Sequence, residues 1–268
     1  MMDKNRIVVF DLDETIGSFS ELGMFWNSIE NILGNQDEKC FFETLDLFQE
    51  FLRPKIMNIM KFINERKKDG SCDKVMIYTN NQGPRKWAKM ITKYFDSKLK
   101  TPSFFDQIIA AFKVNGDIVE ICRTTHEKNI NDFFSCTRIS NDTEICFLDD
   151  RYHSEMNKQN VYYIKLKPYT FSLSFKEMAT RYYDNIITNN NNTNKNEFIN
   201  RVVEHMSRYN YKHTDKSSDE LVVDTVISKQ ILIHLKEFFK KKHNHTVKKN
   251  ITRNSRTRKR KSKRKNTK

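Results

Sequence analysis

Two carboxylates and a hydroxyl stand at alternate positions where an apolar run ends: Asp11, Asp13 and Thr15 in Ile7-Val8-Val9-Phe10-Asp11-Leu12-Asp13-Glu14-Thr15. Side chains two apart in an extended chain point the same way, so the three can converge at a strand tip. In open α/β sheets the carboxyl ends of the strands are where ligands bind. Two acids this close repel each other unless a cation lies between them or one keeps its proton. Either arrangement is chemistry rather than scaffolding.

A phosphoryl-transfer site built on such a pair needs a hydroxyl or amide donor for phosphoryl oxygens, a fixed positive charge, and a further acid for a metal. The apolar run Lys74–Tyr78 delivers Thr79-Asn80-Asn81, and the run Glu144–Leu148 delivers Asp149-Asp150-Arg151. Between them, Thr124-Thr125-His126-Glu127-Lys128-Asn129-Ile130 sets Lys128 near the start of a helix that feeds the last of these strands; Lys113 and Arg123 are alternatives for the same charge. Each motif alone is ordinary, but four in register with apolar strands are not. His126 and His153 lie beside motif residues and are read as surface or supporting histidines, and Arg151 as a partner in a structural ion pair.

With these motifs the chain resembles the haloacid dehalogenase (HAD) superfamily of aspartate-nucleophile phosphotransferases. Within it, the likeness is to the FCP/SCP type, the NLI-interacting-factor-like phosphatases that act on phosphorylated C-terminal repeats of RNA polymerase II. The likeness is carried by Asp-Leu-Asp-Glu-Thr at 11–15, Arg53-Pro54, Ile77-Tyr78-Thr79 and Asp149-Asp150-Arg151, and spans about 6–166. It implies a Mg²⁺-dependent phosphatase for phosphoserine or phosphothreonine in a protein. Asp11 is then the nucleophile that forms an aspartyl-phosphate, and Asp13 the general acid and base. Thr79 and the backbone N–H of Asn80 grip the phosphoryl oxygens, and Lys128 neutralises their charge. Mg²⁺ suits the Asp11 carboxylate, the Asp13 carbonyl and one carboxylate of Asp149 or Asp150. The likeness gives Asp150 to the metal and Asp149 to Lys128, while the residues themselves leave that order open. Two other functions stand beside this one: a nucleic-acid end phosphatase acting on 3′-phosphates, and a non-enzymatic basic-tailed scaffold with a vestigial site.

The elements that must position these residues are strands near 6–10, 73–79, 105–112, 144–149 and 160–166. Helices at 54–68 and 84–95, each opened by a proline, separate them. Strands alternating with helices predict an α/β fold with a parallel sheet of about five strands flanked by helices, and the resemblance implies that this sheet is HAD-like and Rossmannoid. Segment 16–52 reads as a small helical insertion after the first strand, a cap or flap with helical pieces at 26–32 and 43–52. A helix near 174–187 opens with the capping box Ser174/Glu177, and an Asn-rich linker follows at 189–196. Two amphipathic helices complete a C-terminal extension. One carries Ile199, Val202, Val203 and Met206; the other runs from Asp219 to about Lys241 with Ile227, Ile231, Leu235 and Phe238 on one face, capped by Ser217 and Glu220. The expected division is a phosphatase domain at 1–170, a helical extension at 171–242 and a disordered tail at 243–268.

The net charge of +14 belongs to that tail. From Lys240 to Lys268 there are 15 Lys and Arg and no acids, which leaves 33 basic against 34 acidic residues elsewhere. A self-repelling run without apolar residues does not fold, and 248–268 is expected to contact nucleic acid or a nuclear import receptor. Five scattered cysteines, odd in number and without a CxxC pair, argue for a reducing compartment and against a zinc site or a disulfide framework. With no signal peptide and no apolar stretch long enough to span a membrane, the expected location is the nucleus, the cytoplasm, or both.

Overall fold

The computed structural model describes residues 5–187, 194–211, 213, 215–240 and 249–250; most of the basic tail and of the Asn-rich linker lie outside them. The elements run β1 (Arg6–Phe10), α1 (Phe19–Leu33), α2 (Glu38–Leu47), α3 (Ile56–Lys68), β2 (Lys74–Tyr78), α4 (Arg85–Leu99), β3 (Gln107–Ile109), β4 (Lys113–Val114), β5 (Asp117–Ile118) and α5 (Ile130–Thr137). They continue with β6 (Glu144–Asp149), β7 (Val161–Lys165), α6 (Phe175–Tyr182), α7 (Lys195–Ser207), α8 (Ser218–Lys240) and β8 (Lys249–Asn250). The fold is α/β and Rossmann-like: five parallel strands in the order β3-β2-β1-β6-β7, flanked by helices. The two-residue β8 adds to β7 at the edge, a short ordered pairing inside the segment expected to be a disordered tail.

The order matters for function. β2 and β3 lie on one side of β1, and β6 and β7 on the other, so chain direction across the sheet reverses between β1 and β6. Strand ends diverge at such a switch point and leave a crevice. Asp11 and Asp149 stand at this junction, where Asp11 N–H donates to Leu148 O at 2.9 Å.

Alternation along each strand feeds two cores. Val8, Phe10, Val75, Ile77, Cys146 and Leu148 face a large cluster built with α1–α4 and α6–α8. Ile7, Val9, Met76, Tyr78, Ile145 and Phe147 face a smaller one closed by Ile130 and Phe133 of α5 and by Met156. The 16–52 insertion belongs to the large core. Phe25, Trp26, Phe41, Leu45, Phe48 and Phe51 are all buried in it, and Phe41 lies edge-to-face with Trp26 and with Trp87 of α4. The C-terminal helices join the same core: Tyr162 Oη meets His234 Nδ1 at 2.8 Å, and Ser28 Oγ meets His205 Nδ1 at 2.8 Å.

The capping boxes differ in detail. Ser217 and Glu220 bond reciprocally at the start of α8. Ser174 accepts from Glu177 N–H, but the Glu177 carboxylate turns to Arg181 instead. After Tyr182 the helix widens into a π-helical turn, Tyr183–Ile187.

Two expectations are corrected. The strand expected at 105–112 is confined to β3, and a β4–β5 hairpin follows around Asn115-Gly116, both with positive φ (53° and 93°). That dipeptide is the preferred chemistry of a two-residue hairpin turn. The cysteines do include a disulfide, Cys122–Cys136, while Cys40, Cys72 and Cys146 are free. The partners are 14 residues apart and become neighbours only because the chain after Cys122 turns back into α5, which no Cys spacing announces. Cysteine usage therefore no longer points to a reducing compartment.

Candidate functional site

β1 ends at Phe10, and the chain then folds a tight turn over itself. Glu14 N–H donates to Gly17 O (2.8 Å), and Ile16 N–H donates to Leu12 O (2.9 Å). Glu14 adopts φ 53°, a left-handed conformation uncommon for a residue with a Cβ. Gly17 is obligatory: a Cβ there would stand 2.6 Å from Phe51 O and 2.6 Å from the Phe19 ring. This turn presents Asp11, Asp13 and Thr15 at the sheet's carboxyl end.

Lys128 reaches the same point from just before α5. The residue is 1 % exposed, and its ammonium donates to Asp11 Oδ1 at 2.5 Å and Asp149 Oδ2 at 2.7 Å. Asp149 Oδ1 accepts from Arg151 N–H (2.8 Å), and Asp150 exchanges bonds with Thr15: Thr15 Oγ1 donates to Asp150 Oδ1 (3.2 Å) and accepts from Asp150 N–H (3.1 Å). The carboxylates of Asp11, Asp149 and Asp150 place one oxygen each within 4.8 Å of one another. Asp13's carboxylate lies outside this group; its Oδ2 accepts from Asn81 Nδ2 at 2.7 Å, and its buried Oδ1 has no partner among the described residues.

Thr79 follows β2, 2 % exposed, with its N–H on Ile109 O and its Oγ1 accepting from Asn81 N–H at 3.0 Å. Asn80 comes next, its Oδ1 buried and, among the described residues, unpartnered. Of the alternatives to Lys128, Arg123 is turned to the backbone: it donates to Thr79 O (3.1 Å), Ala110 O (2.7 Å) and His126 O (3.0 Å) and so braces the Thr79 segment. Lys113 lies on the hairpin over the Phe112 ring. His126 is exposed, edge-on to Phe112. His153 is buried, with Nε2 3.4 Å from Asp149 Oδ2 and Nδ1 2.6 Å from Glu127 Oε1.

Electrostatics follow from crowding. Burial pushes Asp11 up to about 7, against the pull of Lys128. Burial also raises Asp13, more than the Asn81 amide lowers it, and raises Asp150, with Asp149 adding to the effect. Burial alone would raise Asp149 too, but Lys128 and His153 together hold it below the usual carboxylate range. Lys128 is the counter-case: desolvation disfavours its charge, yet Asp11 and Asp149 keep it raised. Three buried carboxylates and the half-buried Asp13 thus face one buried ammonium. Such a surplus is relieved by protons or by a cation, and an all-oxygen donor set suits a hard divalent one.

Two residues that sequence reasoning passed over now have a place. Asn81 orients Asp13, and Arg53, which in the sequence stands only as part of a motif, holds the turn from below. Asn81 carried no signal beyond its position after Thr79.

Two grooves open on either side of Asn81, Gly83 and Pro84. One, about 480 Å³, runs from Thr79 along Lys89, Phe105 and Val114; the other, about 560 Å³, lies between α1 and α4 and is lined by Phe19, Trp26, Trp87 and Met90. Among the described residues no helix is long and apolar enough to cross a membrane. No protein-family model, curated protein or solved structure matches the chain.

Proposed function

We propose that the protein is a HAD-type, Mg²⁺-dependent phosphatase of the FCP/SCP kind, acting on phosphoserine or phosphothreonine in a protein substrate. The observation that carries this reading is the meeting of Asp11, Asp13, Thr79, Lys128, Asp149 and Asp150 at one strand-end crevice. Asp11, with one oxygen held by Lys128, attacks phosphorus to form the aspartyl-phosphate and expel the substrate's alkoxide. Asp13, whose carboxyl burial shifts toward the protonated form and which Asn81 orients, gives its proton to that leaving oxygen. It then takes one from the water that hydrolyses the intermediate. Thr79 and the Asn80 N–H bind phosphoryl oxygens, and Lys128 balances the charge that builds on them. Bound Mg²⁺ would be held by the Asp11 carboxylate, the Asp13 carbonyl and one carboxylate of Asp149 or Asp150, and would supply charge neutralisation at the phosphate.

The grooves beside Asn81 support a substrate larger than a small ester. The basic run at 248–268 supports a second reading, a 3′-phosphatase that holds a nucleic acid by counterion release. It also supports nuclear or cytoplasmic placement, which now rests on that run alone. A panel of phosphopeptides, 3′-phosphorylated oligonucleotides and small phosphate esters, each assayed with Mg²⁺ and with EDTA, separates the readings. Phosphopeptide turnover exceeding that of oligonucleotides supports the first, the reverse order supports the second, and no turnover of any ester rejects both.

A further inference from the structure

Arg53 is 1 % exposed, beneath the turn that carries Asp13 and Thr15. Among the described residues its guanidinium bonds to backbone oxygens alone: Nε to Thr15 O at 2.6 Å, and Nη2 to Glu14 O and to Lys167 O at 3.0 Å. Its own N–H donates to Ile16 O at 2.9 Å. Tyr169 closes the arrangement. Its ring lies 5.5 Å from the guanidinium carbon, its N–H donates to Glu14 O at 2.8 Å, and its hydroxyl donates to Glu50 O at 2.6 Å. The Lys216 ammonium is 4.5 Å from the same ring and pairs with Asp224 of α8, which is fully buried. A continuous stack, buried except at the half-buried Lys216, therefore runs from the C-terminal helix to the turn after the first strand.

Burying a cation is costly, and desolvation pulls Arg53 down to about 10, still charged at neutral pH. A neutral donor would satisfy one carbonyl without that cost. What a guanidinium adds is a rigid fork that fixes several oxygens relative to one another. The oxygens it fixes belong to the residue with left-handed φ, Glu14, and to Thr15, whose hydroxyl holds Asp150. The turn sets the direction of Asp13 and, through Thr15, the place of Asp150.

We propose that Arg53 is a positioning residue that fixes the Asp13–Thr15 turn and, through Thr15, the Asp150 carboxylate. Tyr169 and the Lys216–Asp224 pair extend this support to the C-terminal helix, which makes α8 part of the site's framework. The inference rests on the reading of the site given above, and a metal-binding readout tests it apart from turnover.

The test uses the full chain as wild type, Arg53→Lys, Arg53→Met and the double variant Lys216→Met/Asp224→Leu, which replaces the buried ion pair with apolar groups. Two quantities are measured well below each variant's melting temperature: the Mg²⁺ concentration that half-saturates binding by titration calorimetry, and kcat and KM on an aryl phosphate. Losing support of a ligating carboxylate typically costs about 10–100-fold in metal affinity or activity. Arg53→Met is expected to raise half-saturating Mg²⁺ and lower kcat in that range with KM nearly unchanged. Arg53→Lys should fall between it and wild type, and the double variant should move the same way by a smaller factor. A purely structural role would lower thermal stability and leave both quantities at wild-type values in folded protein; that result in Arg53→Lys and Arg53→Met overturns the proposal. Should Arg53→Met fail to fold, Arg53→Lys decides. If wild type binds Mg²⁺ without hydrolysing any ester, the phosphatase reading fails while the Mg²⁺ titration still decides the role of Arg53.

Discussion

Asp13 and Asp11 are alike in sequence and unlike in surroundings. Asp11 shares an ammonium with Asp149, whereas Asp13 faces an amide and has a spare buried oxygen. This division suits one group to attack and the other to move a proton. Asp13→Asn is accordingly expected to lower turnover of an alkyl phosphate ester by about 10²–10⁴ and that of an aryl phosphate by less, since a good leaving group needs little protonation. Parallel assays on the two esters check it; equal defects would contradict a role in leaving-group protonation. Away from the site, Glu21 of α1 is fully buried, with Oε2 accepting from Leu173 N–H and Oε1 unpartnered among the described residues, and burial pushes it up to about 7. The folded state therefore binds its proton more tightly than the unfolded chain does. The associated stability is complete below about pH 4.5 and is lost as pH rises through about 7. Glu21→Gln keeps the bond to Leu173 and removes the titration. It should melt higher than wild type at pH 8 and lose this advantage at pH 5; identical pH profiles of the melting temperature would refute the assignment.

At the scale of elements, the turn after β1 depends on a missing side chain. Gly17→Ala would drive a methyl into Phe51 O, a backbone atom that cannot swing away. A cost of about 1–3 kcal/mol is expected by urea unfolding, together with reduced turnover, because the Glu14–Gly17 bond shapes the same turn. An unchanged unfolding midpoint would show that the turn relaxes freely. The Cys122–Cys136 bond closes a loop that contains both Arg123 and Lys128. Replacing both cysteines by serine should destabilise by about 3 kcal/mol, the value for a loop of this length, as read from denaturant midpoints. Much of the architecture was legible in the sequence. Apolar runs ending in Asp11, Thr79 and Asp149 announced parallel strands because both faces of each are buried. The hairpin signal in Asn115-Gly116 was present just beyond the strand expected at 105–112 and was not read as a turn. The disulfide and the Asn81–Asp13 bond were not legible, since each joins segments that only the fold brings together, and local pattern carries no record of such pairings.

For the whole molecule, the site is framed from both ends of the chain. The 16–52 insertion and the C-terminal helices share one core with the sheet, and the stack from Asp224 to Arg53 reaches the turn carrying Asp13 and Thr15. Basic charge, by contrast, is concentrated beyond Lys240 in a chain otherwise near neutral. Deleting 251–268 should leave turnover of a small ester unchanged while weakening nucleic-acid binding and flattening its salt dependence, by about 0.9 in log–log slope for each duplex phosphate that the tail no longer neutralises. A lower rate on the small ester would place the tail within the catalytic fold. The central claim is that Asp11 attacks phosphorus in a Mg²⁺-dependent site, and Mg²⁺-dependent hydrolysis of an aryl phosphate by wild type and Asp11→Asn tests it most directly. The account predicts wild-type turnover that EDTA abolishes and Mg²⁺ restores, with none above background in a folded Asp11→Asn protein. Wild-type rates in Asp11→Asn, or full activity in EDTA, would contradict it.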